Sequence, residues 1–533
     1  MKTLFLRFVH FFGLEADLRE VKRVTPKRKY RNFSNQILVE AWMGPHVCLG
    51  LSTFLPILTS RLNAKPIAYY GTYGGIGTKI KESLRLKFSF YGHIGIRKFK
   101  LFSFSKINDE YYQLAKSIIE INRDPVKFER ITYRNILIGD TVYDSFLRGL
   151  TLPTIDFNHP ALIEKLANAL LYVDNLHAYF EHNSVKAVCI IETTYMLALP
   201  GRVAMKFDIE VFVIAHSRVF RLTSEEYIGF HEFRKYKSIF ETLPQHIKTW
   251  GIEQAKDSIK SKMEKAGFKN HTNLSFSHFK KGKGFQIKKP VRLLVSAHDF
   301  FDSPHRVGYA FFSDFYLWLS FLKEVALKTD YEWFIRPHPN ARKWNKEVLS
   351  ELFLRIPSVT ILSSEIPNSD LLEKDFSAVI TVFGTVGSEW PLYGVPVINA
   401  SSDHKHVNIP GNITPATKEE YVSVMHNLDT YQFMENSFEN SWCSYMFMKD
   451  TFMQNSFNTP FFRELVTEMN LDLDWIQRRG FGWNLASRIL SEEQYPSSLI
   501  SNAFDSFLAS KDYFLNRVHF NLANEISNYK SFR

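Results

Sequence analysis

Three consecutive segments decide the fold of this chain. They read YEWFIRPHPN (Tyr331–Asn340), DFSAVITVFGTVGSE (Asp375–Glu389) and WPLYGVPVINA (Trp390–Ala400). The first contains a short aromatic and β-branched run, YEWFI, and the second a continuous apolar run, SAVITVF, which is typical of a strand covered on both faces. The third contains another short predicted strand, VPVINA. Two of these runs end in a polar or glycine-rich turn. The pattern predicts successive βα units of a parallel sheet.

Polar residues follow two of these predicted strands at the end where ligands of open α/β sheets bind. Arg336 and His338 follow the first strand. The turn Gly384–Gly387 follows the second, and Ser388 and Glu389 are predicted to open a helix. Backbone N–H groups at a helix N-terminus bind phosphate, and His and Arg add charge-assisted donors. The pattern predicts a nucleotide site, with an ordinary strand–glycine–helix junction as the alternative.

In this order the motifs resemble bacterial GT-B glycosyltransferases of capsule and surface polysaccharide synthesis, the relatives of capsular Kdo and sialic acid transferases. The resemblance rests on His-Pro after a strand, Gly-Thr-x-Gly-x-Glu at 384–389 and Gly-x-Pro-Val-Ile-Asn at 394–399. Two further blocks, Val291–His305 and Ile138–Arg148, are also similar. Together the matching blocks span about residues 130 to 425.

The resemblance implies an α/β fold of the GT-B kind, with two Rossmann-type domains facing a cleft and a helical C-terminal region. It implies a metal-independent glycosyltransferase with a nucleotide sugar as co-substrate and no other cofactor. The acceptor would be a growing capsule, lipopolysaccharide or other surface glycan or glycolipid. The His-Pro site resembles those of transferases using CMP-activated acidic sugars, so CMP-Kdo or a related sugar is the first expectation.

Other functions on the same scaffold stay open at this point. They are a UDP-sugar transferase, a polyol-phosphate polymerase, a nucleotide-sugar epimerase and a non-catalytic paralogue that binds glycan or serves as a scaffold.

Length and composition are those of a two-domain globular protein. The chain has 533 residues, of which 45% are hydrophobic and 23% charged, so each domain can bury a core. A basic, polar stretch before Val291 indicates a linker. The predicted divisions are a basic amphipathic N-terminal segment (1–30), an acceptor domain (31–270), a linker (271–289), a nucleotide-sugar domain (290–430) and a helical C-terminal region (431–533).

The net charge of +11 calls for an anionic partner. Nucleic acid is not expected, because no zinc-finger, helix-turn-helix or RNA-binding signature occurs. The three cysteines are far apart and show neither disulfide nor metal spacing, which favours a reducing compartment. No run reaches the ~18 uncharged apolar residues of a membrane span. We therefore expect a cytoplasmic protein.

The first thirty residues combine an aromatic helical face with a basic run that includes Arg19, Lys22 and Arg23. Such a segment can lie on an anionic membrane, which would make the enzyme peripheral at the inner membrane. It can equally be a helix docked on its own protein, followed by a solvated basic stretch.

Four residues of the first domain are candidates for acid/base work or acceptor recognition. Asp140, Asp144 and Arg148 share one face of a helix predicted to begin near Asp140. Glu192 ends the buried strand Lys186–Ile191, where a carboxylate could deprotonate an acceptor hydroxyl. Helix capping and a surface ion pair are the structural alternatives. With His338, the predicted catalytic residues are Glu192 and Asp140, and the predicted acceptor ligands are Asp144 and Arg148.

The loop after Val291–Ser296 carries His298, Asp302 and His305. Its spacing matches no known metal site, so no metal is expected. We expect phosphate or sugar contacts from the two histidines, with Asp302 orienting a ring nitrogen; loop structure alone is the alternative. The predicted donor-binding residues are Arg336, His338, Gly384, Thr385, Gly387, Ser388, Glu389, His298, Asp302 and His305.

Overall fold

The computed structural model describes residues 27–41, 45–70, 90–102, 107–215, 218–229, 231–265, 290–338, 343–366, 368–372, 374–407, 409, 411–431, 438–448 and 497–515. Most of the predicted membrane-binding segment (1–30), the predicted linker (271–289) and much of the predicted helical region (431–533) lie outside the described residues.

The first domain is built on a twisted parallel sheet. Its strands are β1 (Asn35–Glu40), β2 (Ala64–Tyr70), β3 (Lys98–Leu101), β4 (Thr132–Tyr133), β5 (Ile136–Leu137), β6 (Val185–Ile190), β7 (Glu210–Ala215) and β8 (Arg218–Leu222). In the described part of the chain, six of them pair in the order β3-β2-β1-β6-β7-β8, and β4 and β5 form a separate hairpin. Only the β7–β8 pair of the six-stranded sheet is antiparallel.

Helices cover both faces of this sheet. They are α1 (Pro45–Leu62), α2 (Phe90–His93), α3 (Asp109–Ile121), α4 (Pro125–Glu129), α5 (Gly139–Leu150), α6 (Pro160–His182), α7 (Leu199–Lys206), α8 (Tyr236–Thr242) and α9 (Gln245–Lys265). Neighbouring residues of β1 enter different cores: Leu38 packs in one cluster, Ile37 and Val39 in the other. The predicted unbroken apolar strands follow from this two-sided burial.

Pro200 and Gly201 lie inside α7 without interrupting it. A 3₁₀ turn over Tyr195–Ala198 runs directly into α7. Pro200 lies in the first turn of α7, where its missing N–H group is not needed. A Cβ on Gly201 would lie 3.0 Å from Ile190, so glycine lets this helix pack closely on the sheet.

The second domain repeats the plan. Its strands are β9 (Arg292–Ser296), β10 (Glu332–Arg336), β11 (Val359–Ile361), β12 (Ala378–Thr381), β13 (Val397–Asn399) and β14 (Asn412–Ile413). They pair in the order β11-β10-β9-β12-β13-β14, all parallel. The helices are α10 (Phe315–Lys328), α11 (Lys343–Leu352), α12 (Asn368–Leu372), α13 (Val386–Glu389) and α14 (Lys418–His426). Asp314 caps the start of α10 and accepts from the Leu317 N–H at 2.8 Å.

Each sheet therefore starts at its centre, grows outward to one side and then reverses. The reversal lies between β1 and β6 in the first sheet and between β9 and β12 in the second. In doubly wound sheets a crevice opens at such a point, outside the carboxyl ends of the strands.

The C-terminal region returns to the first domain. It contributes α15 (Phe438–Phe447) and α16 (Ser497–Ser510). The ring of Phe447 lies 5.7 Å from Trp250 of α9, and Phe504 packs 5.0 Å from Phe54 of α1. Beyond α16, Leu515 donates to the Val219 carbonyl at 2.9 Å, so the chain extends the edge of the first sheet.

The carboxyl ends of the two sheets face each other. Tyr195, three residues after Glu192, hydrogen-bonds through its side chain to Ser303 in the loop after β9. Tyr195 has φ 55°, a conformation that a bulky side chain rarely adopts. The architecture is thus α/β and GT-B-like, with two Rossmann-type sheets across a cleft. Among the described residues, no helix is long and apolar enough to cross a membrane.

Candidate functional site

A cavity of about 340 Å³ opens at the reversal point of the second sheet. Its walls come mainly from the ends of β9, β10 and β12 and the loops that follow them, with Lys405 added from the loop after β13, as expected of a ligand crevice in an open α/β sheet. The polar side chains that line it are Ser296, His298, Asp299, Asp302, Arg306, Arg336, His338, Thr385, Glu389 and Lys405.

Arg336 and His338 lie where the sequence predicts, at the end of β10. The guanidinium of Arg336 donates to the Ile366 carbonyl at 2.8 Å. Burial lowers the pKa of Arg336, while Glu389 across the cavity counteracts that shift. Arg336 therefore fixes the neighbouring loop and keeps its charge beside Glu389.

His298 lines the cavity as a neutral ring. It stacks on Phe315, with ring centroids 4.5 Å apart and planes 12° apart, and its Nε2 lies 3.1 Å from Thr381 Oγ1. Burial first, then His338 and Lys405, lower the pKa of His298 to about 3. At neutral pH the ring can offer a hydrogen bond but not the positive charge that a phosphate would favour.

The glycine-rich turn supplies fewer phosphate donors than expected. The Gly384 N–H donates to Thr381 Oγ1 at 3.1 Å, and the Gly387 and Ser388 N–H groups donate to Gly384 and Thr385 carbonyls at 3.2 and 3.0 Å. The helix that follows, α13, is a single turn that begins at Val386 rather than Ser388. The turn closes on itself, because its amides satisfy its own carbonyls.

The turn divides the predicted donor ligands into two groups. Gly384, Thr385 and Glu389 line the cavity. Gly387 and Ser388 are buried on the other side, where a Cβ on Gly387 would lie 2.4 Å from His406 Cδ2. The expectation that both contact the donor is not met by their positions, since the glycine is needed for packing on the loop after β13.

His305 lies outside the cavity and bridges the two domains. Its Nδ1 is 2.6 Å from Asp144 Oδ1 and its Nε2 is 3.1 Å from Glu129 Oε2. Burial alone would lower the pKa of His305, but these two carboxylates outweigh burial and hold it well above the usual value. The ring is an imidazolium between two acids and does not line the cavity, so its phosphate contact stays a prediction.

The predicted face of α5 exists, but each of its three residues has a different partner. Asp140 forms a buried bidentate pair with Arg202 at 2.6 and 2.7 Å. Asp144 pairs with His305, and Arg148 lies 3.9 Å from Asp302. Burial raises the pKa of Asp144, although His305 opposes that shift. Asp140 therefore pairs within the first domain, whereas Asp144 and Arg148 pair with the second domain. The sequence assigns this helix to acid/base work and acceptor recognition.

Glu192 lies at the reversal point of the first sheet, together with an acid that sequence reasoning misses. Glu40 ends β1, is 6% exposed and accepts from the Ile191 N–H at 2.9 Å. Burial first, and then Glu192, raise the pKa of Glu40 to about 8. Half-buried Glu192 accepts from its neighbour Thr193 N–H at 2.9 Å. Among the described residues, no cation pairs with Glu40.

Two cavity residues, Arg306 and Lys405, are also absent from the sequence predictions. Arg306 follows the predicted ligand His305, and Lys405 lies in the loop after β13. Neighbouring segments hold that loop: His404 Nε2 is 2.8 Å from Thr414 Oγ1, and His406 Nε2 is 2.8 Å from the Gly384 carbonyl. A polar loop at the end of β13 was the sequence signal that could have indicated a ligand contact. In the structure its two histidines turn inward, and its lysine faces the cavity.

Among the described residues, no three His, Cys, Asp or Glu side chains are placed so that they could hold a metal ion.

Comparison with known proteins gives distant likenesses only. No protein-family model matches the chain, and no curated protein matches it. A UDP-GlcNAc 2-epimerase from Neisseria meningitidis bound to UDP-GlcNAc is 11% identical, with 78% of this chain and 98% of that chain covered and a TM-score of 0.21. The same enzyme from Methanocaldococcus jannaschii is 13% identical over 78% and 98%, with a TM-score of 0.24. A glycosyltransferase from Rickettsia africae is 11% identical over 79% and 97%, with a TM-score of 0.20. These values carry no inference about this chain.

Proposed function

We propose that this protein is a nucleotide-sugar enzyme, and specifically a GT-B-type glycosyltransferase that extends a surface glycan. The observation that supports it best is the cavity at the β9–β12 reversal, which gathers Arg306, Arg336, His338 and Lys405 in one place. Three cations and a histidine beside a strand-end turn suit the phosphate of an activated sugar.

The cavity is lined by charges of both signs. Three carboxylates also line the cavity. Their negative charges balance the positive charges of Arg306, Arg336 and Lys405. However, Asp299 accepts from Asn345 at 2.7 Å, and Asp302 lies 3.9 Å from Arg148. The phosphate would lie toward the cations, and Glu389 would accept from a ribose or sugar hydroxyl.

The chemistry would use both reversal points. Glu192 would accept the proton of the acceptor hydroxyl as its oxygen attacks the anomeric carbon. The bond from that carbon to the phosphate oxygen breaks, and the nucleotide leaves with the electron pair. Arg306, Arg336 and Lys405 would stabilise the charge that develops on the leaving phosphate, since they are already held in place.

For the donor, we propose a CMP-linked acidic sugar such as CMP-Kdo, with a UDP-sugar as the alternative. The proposal comes from the His-Pro motif at His338, which lines the cavity. The acceptor would be a capsule, lipopolysaccharide or related glycan or glycolipid at the cytoplasmic face of the inner membrane.

One observation keeps a nucleotide-sugar epimerase as the second candidate. Glu40 and Glu192 end adjacent strands, and an epimerase needs an acid and a base around one sugar. An epimerase would convert its nucleotide sugar without any acceptor, whereas a transferase would release the nucleotide only slowly to water. Incubating the enzyme with the donor alone separates the two.

The first experiment is a thermal-shift screen of the wild-type protein against CMP, UDP, GDP, CDP and ADP. A nucleotide at a hundred times its dissociation constant adds about 2.7 kcal/mol of stability. We expect a shift with one nucleotide and its loss in His338→Ala. His182→Ala, an exposed histidine at the end of α6, is the matched control and should keep the shift.

A shift with none of the five nucleotides in the wild-type protein would overturn the proposed function. A shift that survives in His338→Ala would move the nucleotide away from the cavity after β10.

A further inference from the structure

Arg306 and Lys405, the two cavity cations that the sequence does not predict, each lie close in sequence to an ion pair between the two domains. Arg306 lies in the loop after β9 and Lys405 in the loop after β13. Each loop also contains a residue that forms an ion pair with the first domain, at most two positions away from the cavity cation. Neither pair belongs to the cavity wall itself.

In the loop after β9, the ion pair is made by His305. Its imidazolium is held between Asp144 and Glu129 of the first domain, at 2.6 and 3.1 Å. The Arg306 N–H donates to the Ser303 carbonyl at 3.0 Å, and the Gly308 N–H donates to the His305 carbonyl at 3.2 Å. A tight turn thus links the His305 ion pair rigidly to the arginine that faces the cavity.

In the loop after β13, the ion pair is made by Asp403. Arg234 of the first domain donates through its Nε to Asp403 Oδ1 at 3.1 Å, and a second guanidinium nitrogen also contacts the carboxylate. Ser401 Oγ accepts from the Asp403 N–H at 3.2 Å and donates to its carbonyl at 2.9 Å. Asp403 is therefore fixed two residues before Lys405.

The two loops also touch each other. A Cβ on Gly308 would lie 3.7 Å from Asp403 Oδ2 and 3.8 Å from Ile228 of the first domain. A shift of the first domain would therefore move both loops, and with them Arg306 and Lys405. The part of the cavity wall around Arg336 and Thr385 lies at the ends of β10 and β12 in the second sheet.

We infer that the first domain completes the donor site by positioning Lys405 and Arg306, through the ion pairs Arg234–Asp403 and His305 with Asp144 and Glu129. This inference rests on the proposed function, because it assigns those two cations to the donor phosphate. Arg234, Asp144 and Glu129 are positioning residues: they lie outside the cavity and act through the loops. Affinity for the nucleotide then depends on docking of the two domains.

A double-mutant cycle between Arg234 and Lys405 tests the inference in the full-length protein. The probes are CMP and UDP, with dissociation constants measured by titration. Arg234→Ala and Lys405→Ala should each weaken binding about tenfold, and the double variant should be no weaker than Lys405→Ala alone. Arg234→Lys keeps an ion pair with Asp403 and should recover most of the affinity.

Arg123→Ala is the matched control, because Arg123 pairs with Glu120 on the surface of the first domain and should leave the affinity unchanged. Asp403→Asn probes the same pair from the second domain and should reproduce Arg234→Ala. Urea unfolding of every variant shows whether each remains folded under the conditions of the titration.

The outcomes are distinct. No binding of CMP or UDP to the wild-type protein would contradict the proposed function itself. Binding by the wild type that is unchanged in both Arg234→Ala and Asp403→Asn would overturn the positioning role alone. Fully additive losses in the double variant would overturn it as well, because Arg234 would then act independently of Lys405.

Discussion

The two reversal points have the same topology and opposite chemistry. Between β9 and β12 the strand ends present a cavity with Arg306, Arg336 and Lys405. Between β1 and β6 they present two carboxyl groups, Glu40 and Glu192. Strand order fixes where a crevice opens, whereas the residues that follow each strand decide what the crevice can do. A donor phosphate suits the first and a proton transfer suits the second.

The largest change in the free energy of unfolding should come from Asp140, a residue of the first domain that the sequence assigns to acid/base work. Its pair with Arg202 is buried on both sides, so Asp140→Ala leaves an uncompensated charge and should cost roughly 3–5 kcal/mol of stability. Urea unfolding measures that cost. Glu120→Ala, which breaks an exposed pair with Arg123, should cost under about 1 kcal/mol.

This prediction sharpens the assignment of acid/base work to the β1–β6 reversal. If the Asp140→Ala protein unfolds at the same urea concentration as the wild type but is inactive, Asp140 is again a candidate catalytic residue.

The second prediction concerns Glu40 and the pH dependence of stability. Its pKa is raised to about 8 in the folded protein from about 4.5 when unfolded. Between these values the folded state binds more protons, so stability falls as pH rises, by up to roughly 1.4 kcal/mol per pH unit. Glu40→Gln mimics the protonated side chain and should stabilise the protein by about 3 kcal/mol at pH 7 and hardly at pH 4.

Urea unfolding at pH 4, 7 and 9 measures this difference, with exposed Glu120→Gln as the control. A gain of the same size at every pH would mean that Glu40 is ionised in the folded protein, and the two reversal points would then differ less than we infer.

The smallest change in stability should come from Gly387, which lies in the turn after β12 at the reversal point of the second sheet. Because a Cβ there would lie 2.4 Å from the ring of His406, Gly387→Ala must displace the histidine that bonds the Gly384 carbonyl at 2.8 Å. We expect a loss of about 1–3 kcal/mol of stability, with weaker nucleotide binding. In the control Gly149→Ala, the new Cβ meets only the flexible end of Lys165 at 3.1 Å.

Thermal unfolding without nucleotide measures the loss of stability, and the additional shift with nucleotide measures the change in binding. A Gly387→Ala protein of wild-type stability would show that the glycine is not needed for packing on the loop after β13. If its nucleotide binding were weakened all the same, the glycine would serve close approach of a ligand.

Much of the second domain could be predicted from local sequence. The strand β12 is a continuous apolar run and β10 is a short aromatic and β-branched run. His338, Gly384 and Glu389 follow these strands closely, so their place at the cavity follows from the βα rule. The fate of Gly387 and Ser388 could not be predicted, because the length of α13 and the direction of each amide depend on packing against His406.

The first domain was harder to interpret from sequence. The spacing of Asp140, Asp144 and Arg148 places them correctly on one helical face, but their partners Arg202, His305 and Asp302 are distant in sequence. Glu40 ends a strand without any motif around it, so nothing in the local pattern marks it as an acid beside Glu192.

By itself, the sequence determined the parallel strands, the helices between them and the polar residues at the strand ends, because periodicity and turn chemistry act over a few residues. Only the tertiary structure decided which of those residues share a cavity, which are buried in ion pairs and which join the two domains. The physical reason is that burial and charge pairing depend on groups more than a hundred residues apart, such as His305 and Asp144. Such contacts set both the charge state and the accessibility of a side chain.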